Sequence, residues 1–250
     1  LPHNLDLQFD ATRSAFTLPS LVLNVGSSRL SLQASVTNYN HPKIAGTYDI
    51  LIHTQDAAQL LQAAKPAGDI LLSGKLDYQG APGRTFLRDV ILNGRLDSDA
   101  LKIVSPQADL DLRRLNSRYQ LAGGNFQTDG FSVDVLNGKL QAQLAVQHLD
   151  QDPATKIRAT LAGISLQAVK TSLKGTAAKT LPLTGTIRGS AGASWTGSMK
   201  NLQARSDLEV EATATNSVTN EASTIPISGA LHVAYDGPRN IITVSHTKIS

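Results

Sequence analysis

Apolar residues recur at every second position through most of this chain. Leu5, Leu7 and Phe9 alternate with Asp6, Gln8 and Asp10, and Leu30, Leu32, Ala34 and Val36 continue the pattern. Leu140, Ala142, Leu144 and Val146 repeat it, as do Leu202, Ala204, Leu208, Val210, Ala212 and Ala214. Successive side chains of a strand point to opposite faces, so this period writes strands with one apolar and one polar face. It suits antiparallel sheet solvated on one side. It does not suit parallel sheet buried on both, whose strands read as unbroken apolar runs. Clusters rich in Gly, Pro, Asn and Asp at 38–42, 80–83, 150–153, 216–223 and 236–238 mark turns between the runs. The acidic residues agree: Glu occurs only at Glu209, Glu211 and Glu221, and the other 17 acids are Asp, which prefers turns and caps to helix interiors.

Only two segments carry helical spacing. In 55–64, Ala57, Leu60, Leu61 and Ala64 share a side, with Pro66 and Gly68 as stops. In 166–174, Leu166, Val169 and Leu173 share a side, with Gly175 as the stop. Helices this short need something to pack on.

A five-residue unit, Φ-x-G-x-Φ with Φ an aliphatic or aromatic residue, punctuates the strands. It is carried by Ile44/Gly46/Tyr48, Leu72/Gly74/Leu76, Leu92/Gly94/Leu96, Leu136/Gly138/Leu140, Leu183/Gly185/Ile187 and Ile227/Gly229/Leu231, with Leu161/Gly163/Ser165 an imperfect copy. Gly74 and Gly185, each in the strand that follows a short helix, are 111 residues apart. Repeats of this kind argue for an elongated, stacked architecture. Asn93-Gly94 and Asn137-Gly138 alone read as two-residue hairpin turns. The sibling units put Ser, Thr or Ala in the Asn position, where positive φ is disfavoured, so the glycine is expected inside a strand, on its apolar side. There it lets a sheet curl about that face; ordinary core glycines of a sandwich are the alternative.

The expected fold is therefore all-β with two short helices: an elongated, mainly antiparallel sheet curled lengthwise into an apolar trough. Residues 1–250 are expected to form one repeat segment of a longer protein, with approximate sub-repeats 44–155 and 156–250. The expected lining is Leu72, Gly74, Leu76, Leu92, Gly94, Leu96, Leu136, Gly138, Leu140, Leu144, Leu183, Gly185, Ile187, Ile227, Gly229 and Leu231.

Several function classes lack their residues. Without cysteine there are no disulfides, zinc-thiolate sites or thiol nucleophiles. The six histidines are scattered with no metal-ligand spacing, so no metal is expected. No G-x-S-x-G, G-x-G-x-x-G or phosphate-loop motif occurs. Asp97/Asp99 and Asp109/Asp111 read as the wet face of strands. Neither an enzyme nor a cofactor is expected. A net charge of +3, unclustered, is too thin for a nucleic-acid interface.

The Φ-x-G-x-Φ strands, and the stretches 66–80 and 180–197 that each follow a short helix, resemble the AsmA-like superfamily, above all its TamB-type envelope proteins. The likeness is strongest over 44–105 and 157–235. It implies a β-taco-like trough in the periplasm of a Gram-negative bacterium, anchored in the inner membrane by a segment outside this stretch. It further implies phospholipid acyl chains as cargo, movement of lipid between inner and outer membranes or support of outer-membrane assembly, and an outer-membrane barrel protein as partner. The alternative is a structural or adhesive β-stalk whose core is closed and which carries no lipid.

Overall fold

The computed structural model describes residues 2–57, 65–175, 183–215 and 224–249. Strands β1 (His3–Ala11), β2 (Ala15–Val25), β3 (Ser28–Thr37) and β4 (Lys43–His53) lead to one helical turn, α1 (Thr54–Ala57). Next come β5 (Lys65–Gln79), a second helical turn α2 (Phe86–Asp89) and β6 (Val90–Val104). Strands β7 (Asp109–Ala122), β8 (Asn125–Val135), β9 (Gly138–Gln147) and β10 (Ala154–Ser165) precede α3 (Leu166–Ser172). The order closes with β11 (Leu183–Thr196), a 3₁₀ turn at Met199–Asn201, β12 (Gln203–Thr215), β13 (Thr224–Asp236) and β14 (Ile241–Ile249).

All fourteen strands form one sheet in strict sequence order, each antiparallel to the next, and the sheet is not closed. The alternating pattern specifies this arrangement, because a hairpin joins sequential antiparallel strands while parallel neighbours need long crossovers. Strands of 9 to 15 residues extend about 30 to 50 Å. Several register slips coincide with special backbone positions. Pro19 lies in the slip of β2, and Gly130, Gly163 and Arg114, all at positive φ, lie in those of β8, β10 and β7.

Two corrections concern local structure. Three α-helical segments are present among the described residues, one more than the two expected. The addition, α2, is a single turn with no apolar period for a sequence pattern to register. Of the expected helix at 55–64, the part at 55–57 lies in α1, and 58–64 lie outside the described residues, as does the expected turn at 216–223. The second correction is the unit at 136–140. Leu136 (φ 52°) and Asn137 (φ 60°) are the two central residues of a hairpin turn between Val135 and Gly138, so Leu136 lies in a turn and not within a strand as expected. The pairing of Val133 with Leu140 sets the register and leaves two residues to turn the chain. Gly138 opens β9 because β10 leaves no room for a side chain: a Cβ there would stand 2.6 Å from the Gly163 carbonyl and 2.7 Å from that of Ala162.

Side chains pin the ends of the sheet. At one end, Asp56 of α1 reaches back to the β2–β3 turn and accepts from the Ser27 N–H (2.8 Å), the Ser28 N–H (2.9 Å) and the Ser28 hydroxyl (2.8 Å). Just past α3, the Lys174 N–H donates to the Gln107 carbonyl and Lys174 Nζ pairs with Asp109 (2.7 Å), tying α3 to the β6–β7 turn. At the other end, Arg88 of α2 donates to Asp150 (2.7 Å) in the β9–β10 connection, and the Gly124 N–H donates to the Leu87 carbonyl. The passages β4–α1–β5 and β10–α3–β11 share one topology and lie six strands apart.

Candidate functional site

Register assembles the expected residues into rows on one face. Leu30, Ile50, Leu72, Leu96 and Ser117 lie opposite one another across β3 to β7. The next row runs Leu32, Tyr48, Gly74, Gly94, Tyr119 and Thr128, and the one beyond it Ala34, Gly46, Leu76, Leu92, Leu121 and Phe126. In the second half, Val133, Leu140, Leu161, Gly189, Leu208 and Leu231 make one row, and Leu144, Ile157, Ala193, Ala204 and Tyr235 another. Ile187 joins Ile164, Val210 and Gly229, while Gly185 joins Ala212 and Ile227. Leu183 opens β11 opposite Ala214. Apart from Leu136, then, the expected residues fall on adjacent rows, and Gly138 continues the Leu112–Val135 row.

The exposure of this face is its main physical property. Leu72, Leu76, Leu92, Leu96, Leu140, Leu144, Ile187, Ile227 and Leu231 are all half-buried, neither sealed nor fully wet. Among the described residues, the largest fully buried side chains are only Val90 and Val133. The chain exposes 16084 Å², against about 10,700 Å² expected for a compact monomer of 26.5 kDa. Among the described residues one sheet is present and no second sheet packs on its apolar side, an arrangement that leaves more surface exposed than two packed layers would. Exposure is greatest at the two edge strands, at Leu5 (57 %) and Phe9 (59 %) on β1 and Ile242 (68 %) and Val244 (57 %) on β14.

The opposite face is polar. Lys75, Arg95 and Lys139 alternate with the apolar residues and are exposed. Arg95 pairs with Asp97 (2.7 Å), and Arg188 with Glu209 (2.7 Å) and Glu211 (3.2 Å). The acceptors Glu209 and Glu211 raise the Arg188 pKa. Asp97 and Asp109 are therefore partners of bases, as wet-face residues should be.

One element of the apolar face was not legible beforehand. Gly74 and Gly94 are expected to line a trough and to let the sheet curl about its apolar face. In the structure Tyr48 and Tyr119 reach in from β4 and β7 and occupy the space above the two glycines, their hydroxyls 2.7 Å apart. A Cβ on Gly74 would run first into the Asn93 carbonyl oxygen of β6 and would stand 2.6 Å from Tyr48 Oη, and one on Gly94 would stand 2.5 Å from Tyr119 Oη and 2.7 Å from Tyr48 Oη, so Gly74 yields to both backbone and ring and Gly94 to the rings. Gly94 makes room for the protein's own rings, an arrangement of the kind in which an aromatic covers a strand glycine. Tyr48 is 9 % exposed, and Tyr119 stacks on Phe126 with ring centroids 6.2 Å apart. Burial, and then the hydrogen bond to Tyr48, push the Tyr119 phenol above the usual tyrosine range. Tyr48 closes the first Φ-x-G-x-Φ unit, but only register reveals that it sits beside Gly74. A second hydroxyl on this face, Ser98 Oγ, is buried and has no hydrogen-bond partner.

Comparison of the chain with protein-family models, with curated proteins and with solved structures gives no match. The functional argument therefore rests on the face itself. Among the described residues no helix is long and apolar enough to cross a membrane.

Proposed function

We propose that the sheet curls about its apolar face and that this face carries the acyl chains of lipids, without chemistry. The observation that carries the reading is a wide face of aliphatic side chains that the chain itself leaves half-exposed. An exposed acyl chain of roughly 15 methylenes costs on the order of 12 kcal/mol in water, at about 0.8 kcal/mol per CH₂. Against a continuous aliphatic surface most of that cost disappears. Adjacent rows offer near-identical contacts, so a chain can slide from one to the next. Resemblance to AsmA-like, TamB-type proteins supports the same reading. On that resemblance rest the rest of the proposal: a periplasmic address, an inner-membrane anchor outside this stretch, lipid movement between the membranes or support of outer-membrane assembly, and an outer-membrane barrel protein as partner.

Photocrosslinking side chains placed at Leu76, Leu96 and Leu140 should capture phospholipid, and those placed at Lys75, Arg95 and Lys139 should not. Equal capture from both faces refutes the reading. Capture from neither favours a structural stalk.

A further inference from the structure

The Tyr48–Tyr119 pair leaves a hydrogen-bond donor unused. Two phenols bring two O–H groups, and their mutual bond consumes one. Among the described residues neither hydroxyl makes any other hydrogen bond, so whichever tyrosine donates to the other, one O–H has no acceptor among them. Its surroundings are uncharged and mostly apolar: Leu72 and Leu96 in the row on one side, Leu76 and Leu92 in the row on the other, and the Phe126 ring against Tyr119, while the two neighbouring hydroxyls are engaged elsewhere, Ser117 donating to the Arg118 carbonyl and Thr128 accepting from the Leu144 N–H. The nearest basic side chains along β5 and β6, Lys75 and Arg95, belong to the opposite face. A spare donor among aliphatic side chains and without a cation suits an uncharged acceptor carried on an otherwise apolar molecule. A phosphate would want positive charge that this face lacks. A carbonyl at the head of an acyl chain meets the description, since it accepts and does not donate.

We propose that the Tyr48–Tyr119 hydroxyl pair is a binding station for the carbonyl of an acyl lipid, fixing the depth at which the chain rests on the surrounding leucines. The proposal rests on the lipid reading above and adds to it a ligand chemistry: acyl esters are held in preference to alkyl ethers. The two tyrosines work as a donor with a spare proton and do not need each other to offer one. Tyr48→Phe or Tyr119→Phe abolishes the mutual bond yet leaves one free O–H, whereas the double substitution leaves none.

The test is calorimetric titration of the full chain with a short-chain diacyl phosphatidylcholine and with its di-ether counterpart, each below its micellar concentration. The wild type should bind the ester about five- to tenfold more tightly than the ether, the worth of one hydrogen bond. Each single variant should keep a preference, and Tyr48→Phe/Tyr119→Phe should bind both lipids alike, at the affinity of the wild type for the ether. A merely structural role for the pair would lower binding of both lipids together in the single variants and leave the ratio unmoved. Equal binding of ester and ether by the wild type, or a ratio that survives the double substitution, overturns the station and leaves the lipid reading standing. Failure of both lipids to bind the wild type overturns the two together.

Discussion

Replacing Gly94 by alanine tests whether this glycine exists to accommodate the tyrosines. Gly94 has no positive φ, so alanine meets no backbone strain there, and a strand-interior Gly→Ala change taken alone should stabilise by about 0.5–1 kcal/mol. The new methyl, however, would stand 2.5 Å from Tyr119 Oη and 2.7 Å from Tyr48 Oη, inside contact distance of both. The rings must leave their positions. Overpacking of that kind costs about 1–3 kcal/mol, and loss of the 2.7 Å hydroxyl bond adds about 1 kcal/mol. The net expectation is a destabilisation of about 1–3 kcal/mol, read as a lowered urea midpoint at unchanged slope by circular dichroism. In a Tyr48→Leu/Tyr119→Leu background both obstructing hydroxyls are gone, and the same Gly94→Ala change should be close to neutral. The coupling across that cycle should be about 1–3 kcal/mol. An equal cost in both backgrounds, or stabilisation in the wild type, refutes the argument that the glycine makes room for the rings.

Two further expectations concern the ends and edges of the sheet. The Asp56 carboxyl is held below the ordinary aspartate range by the Ser28 hydroxyl, against some burial, with the Ser27 and Ser28 N–H groups helping. Burial pushes Asp150 up, but the Arg88 hydrogen bond and charge, with Thr85, outweigh it and leave the pKa lowered. A carboxyl depressed in the folded state contributes stability above its unfolded value of about 3.9, and loses it as pH falls through the folded value. Acid titration of the folded protein should therefore show a loss of stability below about pH 4, and Asp56→Asn/Asp150→Asn should flatten that limb; an unchanged limb refutes the assignment. At the edges, Leu7→Lys with Ile242→Lys should reduce concentration-dependent self-association in sedimentation velocity, because charge on an open edge opposes strand pairing. Undiminished association would mean that these edges do not mediate it.

Much of the architecture was legible in the chain, and the reason is periodicity. Alternation at Leu5–Phe9 or Leu140–Val146 needs no tertiary information to be read as a strand with one wet side, and short turns between such runs imply antiparallel neighbours. What was not legible depended on register or on single contacts. The unit at 136–140 looked like its siblings and proved to be a turn, because the pairing of Val133 with Leu140 overrode the poor turn propensity of Leu136. The turn α2 carries no period, and its anchor to Asp150 joins residues 62 apart. Tyr48 and Tyr119, 71 residues apart, meet only because β5 and β6 between them place Gly74 opposite Gly94.

By itself, then, the sequence determined the strand period, the antiparallel order and which residues share the apolar side, since each of these follows from neighbours a few positions apart. Tertiary structure alone decided that, among the described residues, no second sheet packs on this side and that the space above two glycines is taken by a tyrosine pair. Both depend on groups far apart in the chain, and a local pattern holds no record of the distances between them.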